Sequence, residues 1–157
     1  MLRRLQAKVF QGLLGVSQWA TRDPARNRWL GRPLMRAFGA FTLGVNQGKP
    51  QVEVKALGEE WQRMFPSRKW VPITKIDADT VYAEIHQPCP YRGTGNVEGC
   101  HRMMEYDRRM MERIGGEFVV LRSQAEEGVT TCQVAIRRKG ASMDGLVAAH
   151  ERVKAGG

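Results

Sequence analysis

The apolar pattern of this chain changes period at Trp70, and that change decides the class of fold. Val71, Ile73 and Lys75 alternate with Pro72, Thr74 and Ile76, Asp77-Ala78-Asp79 can turn the chain, and Val81, Ala83 and Ile85 then alternate with Tyr82, Glu84 and His86. Successive side chains of a strand point to opposite faces, so two alternating runs joined by a turn read as a β-hairpin. The helical period returns over residues 98–114, where Cys100, Met103, Met104, Asp107, Met111 and Ile114 line one face and Gly115-Gly116 supplies the stop. Residues 117–123 and 129–138 are strand-like again, joined through Glu126-Glu127-Gly128, and a short polar helix is expected over 143–153. The order strand–strand–helix–strand–strand predicts an α+β domain, a small antiparallel sheet covered by helices on one face.

Before Trp70 the pattern is helical. Leu2, Leu5, Val9, Leu13 and Val16 recur at helical spacing, Phe10, Leu14 and Trp19 widen the stripe, and Arg3, Arg4 and Lys8 lie off its centre, which predicts an amphipathic helix over residues 1–20. Asp23-Pro24 reads as an N-cap followed by proline at the first helical position. Pro33 and several glycines then break the pattern into a bent helix or two short ones, with Trp29, Leu30, Leu34, Phe38 and Phe41 in need of cover. The break at Gly48-Lys49-Pro50 divides a helical arm, residues 1–48, from a domain over 49–157. The domain opens with a short helix through Val54, Leu57, Trp61, Met64 and Phe65 that Pro66 ends.

Charge follows the same division. Of the formal net charge of +9, residues 1–55 carry +8, ten Lys or Arg against Asp23 and Glu53. Such asymmetry points residues 1–45 toward an anionic partner: a membrane surface or a larger protein complex. The alternative is that the arm packs its stripe on the domain or across a homo-oligomer and leaves its arginines solvated. Nucleic acid is disfavoured, because the basic segment contains no recognisable reading motif. No apolar run reaches the ~20 residues of a spanning helix, no signal peptide is recognisable, and an odd number of cysteines fits a reducing compartment. The expectation is a cytoplasmic protein, peripheral at the membrane.

The chemistry rests on three cysteines. Cys89 lies in a Pro/Gly-rich loop, and Cys100 is seven residues before Asp107, which places both on one face of a helix. Cys132 shares a strand face with Val134 and Ile136, so it can approach the other two if that face meets the helix. Free cysteine is also a small hydrophobe and often simply buried. An aspartate on an apolar face, however, is costly without a partner. Three sulfurs and a carboxylate (Cys89, Cys100, Asp107, Cys132) would complete a tetrahedral site for zinc or another divalent metal, although Cys-x10-Cys-x31-Cys is not a zinc-ribbon spacing. As a nucleophile, Cys100 would need a lowered pKa, for which His101 and His86 are the nearby sources in sequence.

The run Cys89-Pro90, Cys100, Asp107, Arg122-Ser123, Gly128 and Cys132 resembles the motif order of the L-2-amino-thiazoline-4-carboxylic acid hydrolase-like family. The wider shape over residues 70–138 is also similar to 4-vinyl reductase-like small-molecule-binding domains, whose third strand carries another cysteine and an acidic residue where this chain has Leu121 and Gln124. The resemblance implies hydrolysis of a C–N or C–S bond in a small cyclic substrate. Cys100 would be nucleophile or ligand, Asp107 base or ligand, Cys89 and Cys132 ligands or supporting groups, and Arg122 a clamp for a substrate carboxylate. The alternative is a non-catalytic accessory protein that holds a small molecule or metal and docks through its basic arm.

Overall fold

The computed structural model describes the backbone of residues 2–156 and the side chains of residues 12–156. Helix α1 (Leu2–Arg22) is followed by a single turn, α2 (Pro24–Arg26), a π-helical turn (Asn27–Gly31) and α3 (Arg32–Asn46). Asp23 caps α2 by accepting the Arg26 N–H at 2.7 Å, with Pro24 just inside where a missing N–H costs nothing. Then come α4 (Val54–Arg63), β1 (Ile73–Ile76), β2 (Val81–Ile85), α5 (Val97–Met103), α6 (Glu105–Ile114), β3 (Gly116–Arg122), β4 (Cys132–Arg138) and α7 (Ala149–Gly156). The fold is α+β, with the four strands forming one antiparallel sheet in the order β1-β2-β4-β3.

Because β4 sits between β2 and β3, the two hairpins share one inner face. Val81, Ala83 and Ile85 stand opposite Ile136, Val134 and Cys132, and Phe118 and Val120 stand opposite Ile136 and Val134. All of these are buried. The face is covered by α4 and α6: Leu57, Trp61, Met110, Met111 and Ile114 have no exposed surface. Trp61 contacts Phe65 edge-on at 5.1 Å and Phe118 at 5.8 Å between ring centres.

The arm lies against this domain. Tyr106 of α6 donates to the Thr42 hydroxyl at 3.0 Å, and Arg36 pairs with Glu105 and Glu112 at 3.0 and 2.8 Å. Gly39 lets α3 approach α6 so closely that a Cβ there would lie 2.7 Å from the Tyr106 carbonyl. Arg102 of α5 donates to the carbonyls of Thr21 and Arg22 at the end of α1, at 2.7 and 2.8 Å.

Four features depart from the sequence expectations. The helix over 98–114 is two helices, broken at Met104 (φ −68°, ψ 4°), so Cys100 and Asp107 sit on different segments. The break coincides with the burial of two consecutive residues, Met103 and Met104, which a straight helix would turn about 100° apart. The described part of α1 is rotated relative to its apolar stripe: Val16 and Trp19 are exposed and Leu13 and Leu14 half-buried, while Ser17, Ala20 and Thr21 are buried. The inward hydroxyls are satisfied by backbone, Ser17 donating to Leu13 and Thr21 to Ser17, each at 2.7 Å. The side chains of Leu2, Arg3, Arg4, Leu5, Lys8, Val9 and Phe10 lie outside the described residues. Trp29 and Phe41, expected to need cover, are exposed, and the last helix begins at Ala149 rather than Met143.

Candidate functional site: a thiol cluster at the inner end of an apolar pocket

The loop from β2 to α5 and the turn from β3 to β4 meet at one corner of the sheet, and Gln124 joins them. Its fully buried side-chain oxygen accepts the Cys89 N–H (3.1 Å) and the Arg92 Nε–H (2.9 Å), and its amide nitrogen donates to the carbonyls of Ile85 and Gln87 (both 3.0 Å). Gly93 and Gly95, both with positive φ, let the loop return so that their N–H groups reach the carbonyls of Gln124 and Ala125. Tyr91, 1 % exposed, anchors the same loop beneath α1, its hydroxyl donating to the Gln18 carbonyl at 3.0 Å.

This framework brings the three cysteines together. Cys100 is hydrogen-bonded to the thiols of Cys132 and Cys89 and to the Ser123 hydroxyl. Ser123 Oγ accepts the Ala125 N–H at 3.1 Å, which leaves its own proton for Cys100. Cys89 Sγ accepts the Tyr91 N–H at 3.4 Å and Cys132 Sγ accepts the Gln124 N–H at 3.3 Å. The bonds from Cys132 and Cys89 hold the Cys100 thiol well below its ordinary range against the opposing effect of burial. The same bonds to Cys100, reinforced by burial, push Cys89 and Cys132 upward. Of the three thiols, Cys100 is thus the one whose ionisation its neighbours favour, and Cys89 and Cys132 are the two they hold protonated.

Asp107 is 5 % exposed and accepts the Trp61 indole N–H at 3.0 Å. Burial raises its pKa to about 7; the Trp61 bond opposes the rise, and the nearby Cys100 adds to it. Near neutral pH this carboxyl can give or take a proton. Cys89, Cys132 and Asp107 line an apolar pocket of about 110 Å³, whose other walls come from Leu13 and Leu14 of α1, Met35, Phe38, Phe41 and Val45 of α3, and Met103 and Met104. An engineered cavity of ~150 Å³ takes up benzene, so this pocket matches a single ring in size. Cys100, 1 % exposed, lies behind the two pocket-facing thiols and not on the wall.

The other expected site groups lie elsewhere. Arg122 is exposed and outside the pocket lining. A bulge after Val120 places it opposite the outward-facing Gln133, and alternation alone did not predict that irregularity. His86 is exposed, 2.6 Å from Glu84 Oε2. His101 stacks on His150 with ring centres 3.6 Å apart, and burial, then the Arg108 charge, press its pKa down to about 4. Hydrogen bonds from the neighbouring thiols, rather than an imidazolium, thus do most to lower Cys100. Among the described residues no group of three or more His, Cys, Asp or Glu side chains is arranged to hold a metal ion, and Asp107 turns an oxygen to Trp61.

Gln124, Ser123, Trp61 and Tyr91 were not singled out as site residues by the sequence. The signals were Ser123 standing in the Arg122-Ser123 pair of the motif and Gln124 near where a related pattern has a charged or thiol group. No model of a known protein family, no curated protein and no solved structure matches the chain.

Proposed function

We propose that this chain is a thiol-dependent hydrolase, of the kind its motifs resemble, that opens a C–N or C–S bond of a small, largely apolar ring compound. The observation that carries the reading is the convergence of three hydrogen-bonded thiols and a carboxyl titrating at about 7 at the inner end of a pocket of single-ring size. Perturbed titratable groups in a concave apolar site are the usual mark of chemistry.

Geometry distributes the roles. Cys89 is the half-buried, pocket-facing thiol, and Cys100 behind it is the proton acceptor. Passing the Cys89 proton to Cys100 leaves a thiolate at Cys89; the bond to Cys100 and burial oppose that charge, so the transfer is uphill, and the Tyr91 N–H and the Arg92 charge offset part of its cost. That sulfur adds to the electrophilic ring carbon while Asp107, in its acid form, protonates the ring nitrogen. Collapse of the adduct breaks the ring C–N or C–S bond, water deprotonated by the Asp107 carboxylate then releases the product from Cys89, and the departing Cys89 thiolate takes its proton back from Cys100. Arg122, outside the pocket, has no part in this scheme.

A second reading, a non-catalytic small-molecule-binding protein, draws support from the predominantly apolar walls. Ring-opening assays with 2-amino-thiazoline-4-carboxylate and less polar thiazolines, paired with ligand-induced tryptophan fluorescence, separate the two. Turnover that falls on the order of a thousandfold in Cys89→Ser while binding persists supports the hydrolase. Binding without turnover across the series supports the second reading. Stoichiometric zinc in protein purified without added metal would overturn the free-thiol route.

A further inference from the structure

We propose that the arm docks on an anionic lipid bilayer with the mouth of the apolar pocket turned toward the membrane. The mouth is formed by Leu13 of α1 and by Phe41 and Val45 of α3, the last two 64 % and 47 % exposed although they also line the pocket. From the mouth the apolar surface continues along α1 through Val16 to Trp19, which follow Leu13 at three-residue steps and therefore lie on neighbouring parts of one face. Trp29 adds a second exposed indole on the π-helical turn. Indoles with one wet and one apolar side favour the membrane interface.

Charge selects the occupant. The arm that bears these side chains, residues 1–48, holds eight basic residues against one acidic one, and Arg22, Arg28 and Arg32 are exposed. Arg26 lies over the Trp19 ring, 4.4 Å from its centre, so a cation accompanies the indole. A second copy seated on this face would set two strongly positive segments against each other, since a two-fold interface joins like patches. An anionic leaflet meets both demands, with hydrocarbon for the rings and headgroups for the arginines. The orientation is independent of the chemistry assigned to the thiols.

The test is co-sedimentation of the full chain with vesicles of phosphatidylcholine and phosphatidylserine, against phosphatidylcholine alone, over a range of salt. Binding should require phosphatidylserine and weaken as salt rises past about 0.15 M. The double variant Phe41→Ser/Val45→Ser, at exposed positions and checked for an unaltered circular dichroism spectrum, should bind at least roughly tenfold more weakly, and Arg28→Glu roughly fivefold or more. Absence of phosphatidylserine-dependent binding would overturn the proposal. So would unchanged binding by the Phe41/Val45 variant, or a dimer in solution that this variant converts to monomer.

Discussion

At the inner end of the pocket four hydrogen bonds hold the single buried side chain of Gln124, whereas Phe41 at its outer end, and Trp19 and Trp29 farther along the arm, stand in solvent. Both regions invert the usual placement of polar and apolar groups. At the thiol corner the inversion is fully compensated: each sulfur, the amide and the Asp107 carboxyl has a named partner. Along the arm the Arg26 guanidinium lies over the Trp19 ring, and Phe41 and Trp29 remain largely exposed among the described residues. Buried polarity that is fully paired fixes a geometry, while exposed apolar surface is held ready for something else. Perturbation at the inner end should therefore cost stability and chemistry, and perturbation at the outer end should cost little stability.

The largest effect is expected from Asp107. Its pKa rises from 3.8 to about 7 on folding, so the folded chain keeps a proton that the unfolded chain releases. Stability from this group is full below about pH 4 and is lost as pH rises through about 7, on the order of 4 kcal/mol in all. Asp107→Asn retains an oxygen for the Trp61 indole and should remove that fall. Urea denaturation of both proteins from about pH 4 to 8 measures it; parallel curves would mean that the carboxyl is not protonated in the folded state.

Next is Gln124→Leu, which fills the space but strands the Cys89 N–H and the carbonyls of Ile85 and Gln87. A loss of about 3 kcal/mol by urea denaturation is expected. A loss below about 1 kcal/mol would show that the loop is not held through this amide. Gly31→Ala probes the inner side of the arm, where a Cβ would lie 2.6 Å from the Ala20 carbonyl. It should cost about 2 kcal/mol, and a neutral result would show that the π-helical turn is not closely packed on α1. Smallest of all, Phe41→Ser should change stability by no more than about 0.5 kcal/mol, since its ring is 64 % exposed. A larger loss would place that ring within the core and erase the contrast between the two ends.

The order of helices and strands was legible because each element carries its own period, and the facing of Cys132 followed from its alternation with Val134 and Ile136. What stayed hidden depends on contacts between elements distant in sequence. The rotation of α1 rests on Ser17 and Thr21 finding backbone carbonyls and on Gly31 admitting the Ala20 carbonyl, neither of which an apolar stripe reports. The break at Met104 separates Cys100 from Asp107 although the heptad spacing is unbroken. One bulged residue in β3 turns Arg122 away from the pocket. Gln124 gave no local signal because its partners are drawn from residues 85–92, more than thirty positions upstream.

The claim at the centre of this account is that three thiols share one ionised sulfur. Thiolate absorbance in the ultraviolet, followed against pH on the native protein, tests it most directly. One thiolate per chain should form well below the ordinary thiol range of about 8.5, with the other two appearing only well above it, and Cys100→Ala should remove the early one. Three thiols ionising together near that ordinary value, or an early step that survives Cys100→Ala, would contradict it.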